Sequence, residues 1–428
     1  MVVLHQRRNK LAAALGVSSV GLYGLMAFSV TGPIDTREWL LGYAIAWGLY
    51  LSLFVAARDD DWIGSPWLIL GWALIARLVL VPTAPWLSDD LYRYLLDGRV
   101  LAEGVNPFAH PPAEPMIQSI APELASKVNH PEVPTIYPPV VQGLAWIAAR
   151  MELGVVGWRV LMTGIDLLVM GAVALLFGRG ARGWRAAAVY GLCPLAIWET
   201  GANGHLEALA ALPLVLGVFW MERGHPLRAG VAFGAAALTK YYALLLLPLW
   251  LAHRGFKRMA ATTVAVTLLA LVPFTVGGVD IFEGLRTYLA NWSFNSPLYS
   301  VLANVGIPDD VLRVLPFVVI LIGGTVAGLR NEDVVRSIPM LLFAFLVIGP
   351  TLHPWYALWL LPWLGDRPHP GHWSFVGAMG GAYAVWWSVA TTGQWTLPTG
   401  VPEVLWTIVA LGWLSSFWRE TGSTPEPV

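Results

Sequence analysis

Apolar residues in this sequence come in blocks of about 15–20, and that pattern constrains the fold more than any other feature. Wound as helix, such a block crosses a hydrocarbon core about 30 Å thick. A backbone in lipid must satisfy its own hydrogen bonds, which leaves helices as the spanning element here. Only 12% of the 428 residues are charged, while 57% are hydrophobic and the mean hydropathy is +0.62. A soluble domain carries about 25% charged residues, so this chain lacks the charge to coat a water-facing surface. The expectation is a single all-α polytopic membrane domain over 1–418 with a short polar tail at 419–428.

Candidate spans fall at 11–30, 39–57, 66–83, 157–177, 185–199, 205–221, 228–239, 241–252, 259–276, 310–328, 337–351, 355–366, 373–391 and 403–418. The first, following HQRRNK, is too long for a signal h-region and lacks a small-x-small exit, so it reads as a retained helix. The 23 Trp and 31 Pro fit interfacial anchoring and interrupted membrane helices. The net charge of −1 argues against a nucleic-acid partner, which demands a basic footprint. The single Cys193, in the apolar run LCPLAIW, excludes an internal disulfide and reads as a packed core thiol.

Basic residues orient the chain, because Lys and Arg accumulate in cytoplasmic loops. HQRRNK, GRGARGWR (178–185), ERGHPLR (222–228), HRGFKR (253–258), LRNEDVVR (329–336) and the Arg419 end go inside together, which puts both termini in the cytoplasm. The loop ARDDDWIGS, with only Arg58 against three Asp, lends this no support. The connectors left outside are 84–156, 200–204, Thr239-Lys240, 277–309 and His353-Pro354-Trp355. Within the first of these, 137–151 reads as an amphipathic helix lying at the interface.

Polar residues sort onto that outer side. The densest run is Ser88-Asp89-Asp90-Leu91-Tyr92-Arg93-Tyr94, continuing through Asp97, Gly98 and Arg99 to Gly104-Val105-Asn106-Pro107-Phe108. As helix, Asp90, Tyr94 and Asp97 share a face, and Arg93 can pair with Asp89 or with a ligand phosphate. The bland alternative is an Asp N-cap with surface ion pairs. Tyr137, the run Trp198-Glu199-Thr200-Gly201-Ala202-Asn203-Gly204-His205-Leu206-Glu207, Lys240 alone between two half-helices, Asn295, His353, Trp355 and Tyr356 extend the theme. Ionisable groups at membrane depth are expensive and mark functional sites by default, although each alone also fits a helix–helix hydrogen bond. Asp166, in mid-span, reads as a structural partner. Asp89, Asp90, His205 and Glu207 have metal-ligand atoms, yet no spacing resembles H-E-x-x-H, so no metal or other cofactor is expected.

The run Asp90-Leu91-Tyr92-Arg93-Tyr94, then Gly98 and Gly104-Val105-Asn106-Pro107-Phe108, resembles the first outer loop of GT-C glycosyltransferases that use polyprenyl-phosphate sugars. It is most similar to the bacterial polyprenyl-phosphate-mannose-dependent mannosyltransferases. GANGHLEAL and LTKYYALLLLPLW resemble the glycosyltransferase-87-like branch. Many GT-C enzymes place the acidic loop directly after their first span, whereas here 39–57 and 66–83 intervene.

The resemblance implies a GT-C-like bundle of about 12–14 spans with interfacial helices in the first outer loop. It implies a bacterial plasma-membrane enzyme acting on the outer face. That enzyme passes one sugar, mannose first among candidates, from a polyprenyl-phosphate donor to a lipid or glycan acceptor. Asp90, or Asp89 in its place, is then the base that deprotonates the acceptor hydroxyl, and direct displacement inverts the anomeric centre. Lys240, Arg93, Arg99, His205 and His353 are candidates for the departing phosphate. Tyr94, Asp97, Asn106, Tyr137, Asn203, Glu207, Asn295, Trp355 and Tyr356 are candidates for substrate contact. Two other classes compete: a transporter or flippase, whose broken helices look similar, and a lipid-glycan ligase or polymerase.

Overall fold

The computed structural model describes residues 2–56, 65–366 and 368–422, and they form an all-α membrane protein. Among the described residues there is no β-strand, only an isolated parallel bridge between Phe294 and Thr351. Helix α1 (Val2–Ser29) packs on α2 (Thr36–Ala56) and α3 (Pro66–Leu80). A segment with four short helices follows: α4 (Asp90–Ala102), α5 (Pro115–Ile120), α6 (Pro122–Ala125) and α7 (Pro139–Arg150). The chain continues through α8 (Val155–Leu176), α9 (Ala181–Gly191), α10 (Pro194–Gly201), α11 (Glu207–Glu222), α12 (Pro226–Ala237), α13 (Leu247–Ala252) and α14 (Lys257–Leu271). Then come α15 (Glu283–Asn291), α16 (Pro297–Asn304), α17 (Asp309–Leu329), α18 (Val334–Ile348), α19 (Pro370–Met379), α20 (Val385–Thr392) and α21 (Val401–Gly422). The expected inner loop with Arg58 lies outside the described residues, as does the tail beyond Gly422.

Several expected spans are broken. Four stretches among the described residues are long and apolar enough to cross uninterrupted: Pro33–Val55, Val155–Leu176, Lys257–Thr275 and Asp309–Leu329. The expected span at 185–199 divides at Cys193, because Pro194 opens a new helix instead of continuing the old one. The expected span at 355–366 consists of two 3-10 segments, Pro354–Trp359 and Leu361–Trp363, each opened by a proline near its start. The expected 373–391 is interrupted by a 3-10 turn at Gly380–Ala384.

The core is held by close approach of small residues. Ala186, Ala187, Ala188, Ala196, Ala210, Ala229, Ala236 and Ala237 are fully buried where helices meet, which lets backbones come near without a hydrophobic driving force. One ion pair crosses this core. Arg77 of α3 donates from Nε to Asp166 Oδ2 at 2.6 Å, and Tyr190 donates to Asp166 Oδ1 at 2.5 Å. Asp166 is thus a structural partner, as its mid-span position suggested. Cys193 is fully buried.

The connectors gather into two groups. Arg182 pairs with Asp366, joining 178–185 to the connector after Trp363, and the backbone N–H of Arg254 donates to Asn331, joining 253–258 to 329–336. At the other end, Val140 N–H donates to Leu238 O, Asn106 to Phe274 O, Phe294 N–H to Pro350 O, and Leu352 N–H to Phe294 O. Helix α7 buries Val141, Ala145 and Ala148 and exposes Trp146 and Ile147, the two-faced character expected at 137–151.

Candidate active site

Helix α4 organises the site. Its N-terminus carries Asp89 and Asp90, and its two flanks face different neighbours. Gly98 sits where α4 crosses α7; a Cβ there would lie 2.2 Å from the Ala145 carbonyl oxygen, so only glycine permits this approach. The crossing brings Tyr137, just before α7, edge-on against Tyr94 with ring centroids 4.8 Å apart.

Asp89 occupies the N-cap position but makes no side-chain capping bond, so the bland capping explanation fails. Its carboxylate instead accepts from Asn129 Nδ2 at 2.5 Å. Partial burial, with the neighbouring Asp90 charge second, pushes the Asp89 carboxyl up to about 6. Asp90 is half-buried, and among the described residues no side chain hydrogen-bonds or ion-pairs with its carboxylate. Its charge nevertheless acts on Tyr94, Tyr137, His205, Tyr288, His353, Tyr356 and Tyr383, which come from elements spread along the chain. Side chains from separate elements of the chain therefore gather around one unpartnered carboxylate.

The groups gathered there are largely aromatic. His353 stacks flat on Trp355 at 4.6 Å, His205 meets Trp355 edge-on at 4.3 Å, and Tyr356 shares a 2.7 Å hydroxyl contact with Tyr288. Burial pushes the His353 imidazole down to about 4, so it is neutral near pH 7 and offers a hydrogen bond but no positive charge. Its Nδ1 is buried without a partner.

Lys240 is not alone, contrary to the sequence reading. It forms an ion pair with Glu207 and lies 5.6 Å from the centroid of the Tyr356 ring. The second carboxylate oxygen of Glu207 is buried and unpartnered, so the pair leaves one strong acceptor unsatisfied.

Other expected contacts are spent elsewhere. Arg93 pairs with Asp97 at 3.0 Å, not with Asp89, and also donates to Val133 O at 2.9 Å. Thr135 and Gln142 donate to the other Asp97 oxygen. Asp97 and Arg93 thus brace α4 against the loop that follows. Asn106 folds its own turn by accepting from Phe108 N–H and donates to Phe274 O. Asn203 donates to Glu199 and to Tyr383 Oη. Asn295 donates weakly to Met379 Sδ at 3.4 Å and keeps a buried, unpartnered Oδ1. Arg99 is exposed on the other flank of α4 from Asp90.

Two residues that sequence reasoning passed over complete the site. His205 Nε2 lies 2.8 Å from Ser88 Oγ, and its Nδ1 lies 2.9 Å from Glu199 Oε2, near enough for an ion pair though off hydrogen-bond alignment. Ser88 Oγ in turn accepts from the Asp90 backbone N–H at 3.3 Å. The chain Glu199–His205–Ser88 therefore fixes the backbone from which Asp90 projects. Both Ser88 and Glu199 stand in the polar runs already singled out, but only the fold brings them together. Among the described residues, no three His, Cys, Asp or Glu side chains converge as a metal site would require.

No curated protein and no solved structure matches the chain. A family model does. The N-terminal domain of the alpha-(1->6)-mannopyranosyltransferase MptA/B family matches residues 23–254, more than half of the sequence. The matched stretch includes Ser88, Asp89, Asp90, Tyr137, Glu199, His205, Glu207 and Lys240. The chain accordingly belongs to the alpha-(1->6)-mannopyranosyltransferase MptA/B family, which makes it a membrane glycosyltransferase of mannosyltransferase type.

Proposed function

We propose that the protein transfers a single mannosyl residue from a polyprenyl-phosphate donor to a glycan hydroxyl, on the non-cytoplasmic face and with inversion. The observation that carries this reading is the Asp90 carboxylate, half-buried, unpartnered and near a cluster of aromatic and imidazole side chains. A general base must reach the hydroxyl proton before anything else does, and a carboxylate with no competing donor is available for that. Asp89 is a weaker candidate because Asn129 already occupies one of its oxygens. The family name supplies the linkage, so the attacking group is taken as the 6-hydroxyl of a mannose.

In this scheme the acceptor oxygen bonds to the anomeric carbon as the bond from that carbon to the phosphate oxygen breaks. The hydroxyl proton passes to Asp90, and the phosphate keeps the electron pair and stays on its lipid. Lys240 faces that phosphate after exchanging Glu207 for it, and electrostatic stabilisation of the leaving group follows. Trp355 and Tyr356 offer apolar faces to the sugar. Sidedness rests on the basic loops and the GT-C architecture on the acidic-loop resemblance. A lipid-linked donor fits a membrane-embedded site.

The test is donor choice. Protein in proteoliposomes is given mannose either on a polyprenyl phosphate or on a nucleoside diphosphate, and the anomeric configuration of the product is read by NMR. Transfer from the lipid donor alone, with an α product from a β donor, supports the reading. Transfer from the nucleotide donor, or retention, sinks it.

A further inference from the structure

On the opposite flank of α4 from Asp90 lies a second concavity, about 230 Å³, bounded by α4, α6, α7 and the start of α8. Helical spacing separates the two sites: Asp90 and Tyr94 share one face of α4, whereas Tyr92, Leu95 and Arg99 line this cleft. We infer that the cleft binds a neutral, hydroxyl-rich segment of the acceptor glycan beyond the residue being extended.

Three observations carry the inference. The first is charge balance. Arg99, Lys127, Glu123 and Glu152 all line one cleft, yet none of the four is in an ion pair among the described residues. An anion would meet two carboxylates there, and a cation two basic groups, whereas a polyol finds both donors and acceptors. Tyr92 adds an aromatic wall, with Lys127 over its ring at 5.1 Å.

The second is backbone conformation. Helix α7 ends in a Schellman turn, with Glu152 N–H donating to Ala149 O and Leu153 N–H to Ala148 O. The left-handed position, φ +55°, is held by Glu152 where glycine is the usual occupant. A carboxylate kept at a position that disfavours any side chain points to a use for that side chain.

The third is proximity to the acidic pair. Lys127 lies two residues before Asn129, whose amide holds Asp89, so one short segment both lines the cleft and holds the start of α4.

The inference deepens the proposed glycosyl transfer by naming where the acceptor chain rests. It is tested without any donor, so the two can fail separately. The probe is α(1→6)-linked mannotriose added to the full-length protein in nanodiscs of zwitterionic lipid, with affinity read by saturation-transfer NMR. The expected result is measurable binding that weakens about tenfold in Glu152→Gly and in Lys127→Ala. Glu152→Gly relieves the left-handed backbone, so a folding defect does not confound it. In turnover, the same variants should raise the KM for the trisaccharide more than that for methyl α-mannoside, with kcat little moved. Unchanged mannotriose affinity in both variants overturns the inference. So does a cleft that responds only to an anionic phospholipid added to the nanodisc, which would make it a headgroup site.

Discussion

Removing the charge of Lys240 separates a structural ion pair from a substrate-binding cation. The Glu207 side chain is 4% exposed and that of Lys240 14%, so the pair is largely shielded from water. Replacing Lys240 with Met strands a buried carboxylate whose second oxygen already lacks a partner, at a cost of about 3–5 kcal/mol. Glu207→Gln strands an ammonium but leaves it an amide oxygen to donate to, so its cost is smaller, about 1–3 kcal/mol. The double variant Lys240→Met/Glu207→Gln buries no charge and recovers most of the loss, giving a coupling energy of about 3–6 kcal/mol in the cycle. Thermal unfolding followed by Trp fluorescence in one detergent reads the stability side. Initial rates with polyprenyl-phosphate mannose read the other. If Lys240 faces the donor phosphate, Glu207→Gln lowers the donor KM by removing a competitor, and the double variant regains stability without regaining transfer. A double variant restored in both respects would refute the phosphate role and leave the pair as scaffold.

Three further outcomes follow from the geometry. Arg77→Met leaves Asp166 buried against a single tyrosine donor and should cost about 3–5 kcal/mol, with Asp166→Asn in the same chain recovering part of it; unfolding temperatures of the two variants decide. Gly98→Ala drives a methyl into the Ala145 carbonyl, so α4 and α7 must separate at a cost of about 1–3 kcal/mol, seen as a lower unfolding temperature and reduced transfer. The Asp89 carboxyl is raised from 3.8 to about 6, so the folded state binds its proton more tightly than the unfolded chain does. That contribution is complete below pH 3.8 and is lost as pH rises through about 6. Asp89→Asn should therefore gain about 2 kcal/mol on wild type at pH 8 and nothing at pH 4, measured as paired unfolding curves.

Fold class was legible because lipid solvation leaves its mark on composition and block length, which no local accident imitates. Helix breaks were less so. Pro194, Pro354 and Pro362 stand openly in the sequence, yet a hydropathy window averages over them and reports one span where the chain makes two pieces. In the site, Asp89 and Asp90 announced themselves as adjacent carboxylates beside an apolar block. Their neighbours' pairings did not. Arg93 has an acidic residue four positions away on either side, and local spacing gives no preference between Asp89 and Asp97. Tertiary structure chooses Asp97, because Thr135 and Gln142 arrive from about 40 residues on to complete its shell. Lys240 looked solitary for the same reason: its partner Glu207 is 33 residues away. Ser88 and Glu199 sat within runs recognised as polar, but Ser88 and His205 lie 117 residues apart and nothing in the sequence signals that they meet.

The most direct test of the account is mannosyl transfer from radiolabelled polyprenyl-phosphate mannose in proteoliposomes, with wild type, Asp90→Asn and Asp89→Asn compared at equal folded protein. The account predicts that Asp90→Asn abolishes transfer while binding donor normally, and that Asp89→Asn keeps substantial activity. Full transfer by Asp90→Asn would contradict the assignment of the base, and no transfer by wild type from the lipid donor would contradict the reaction itself.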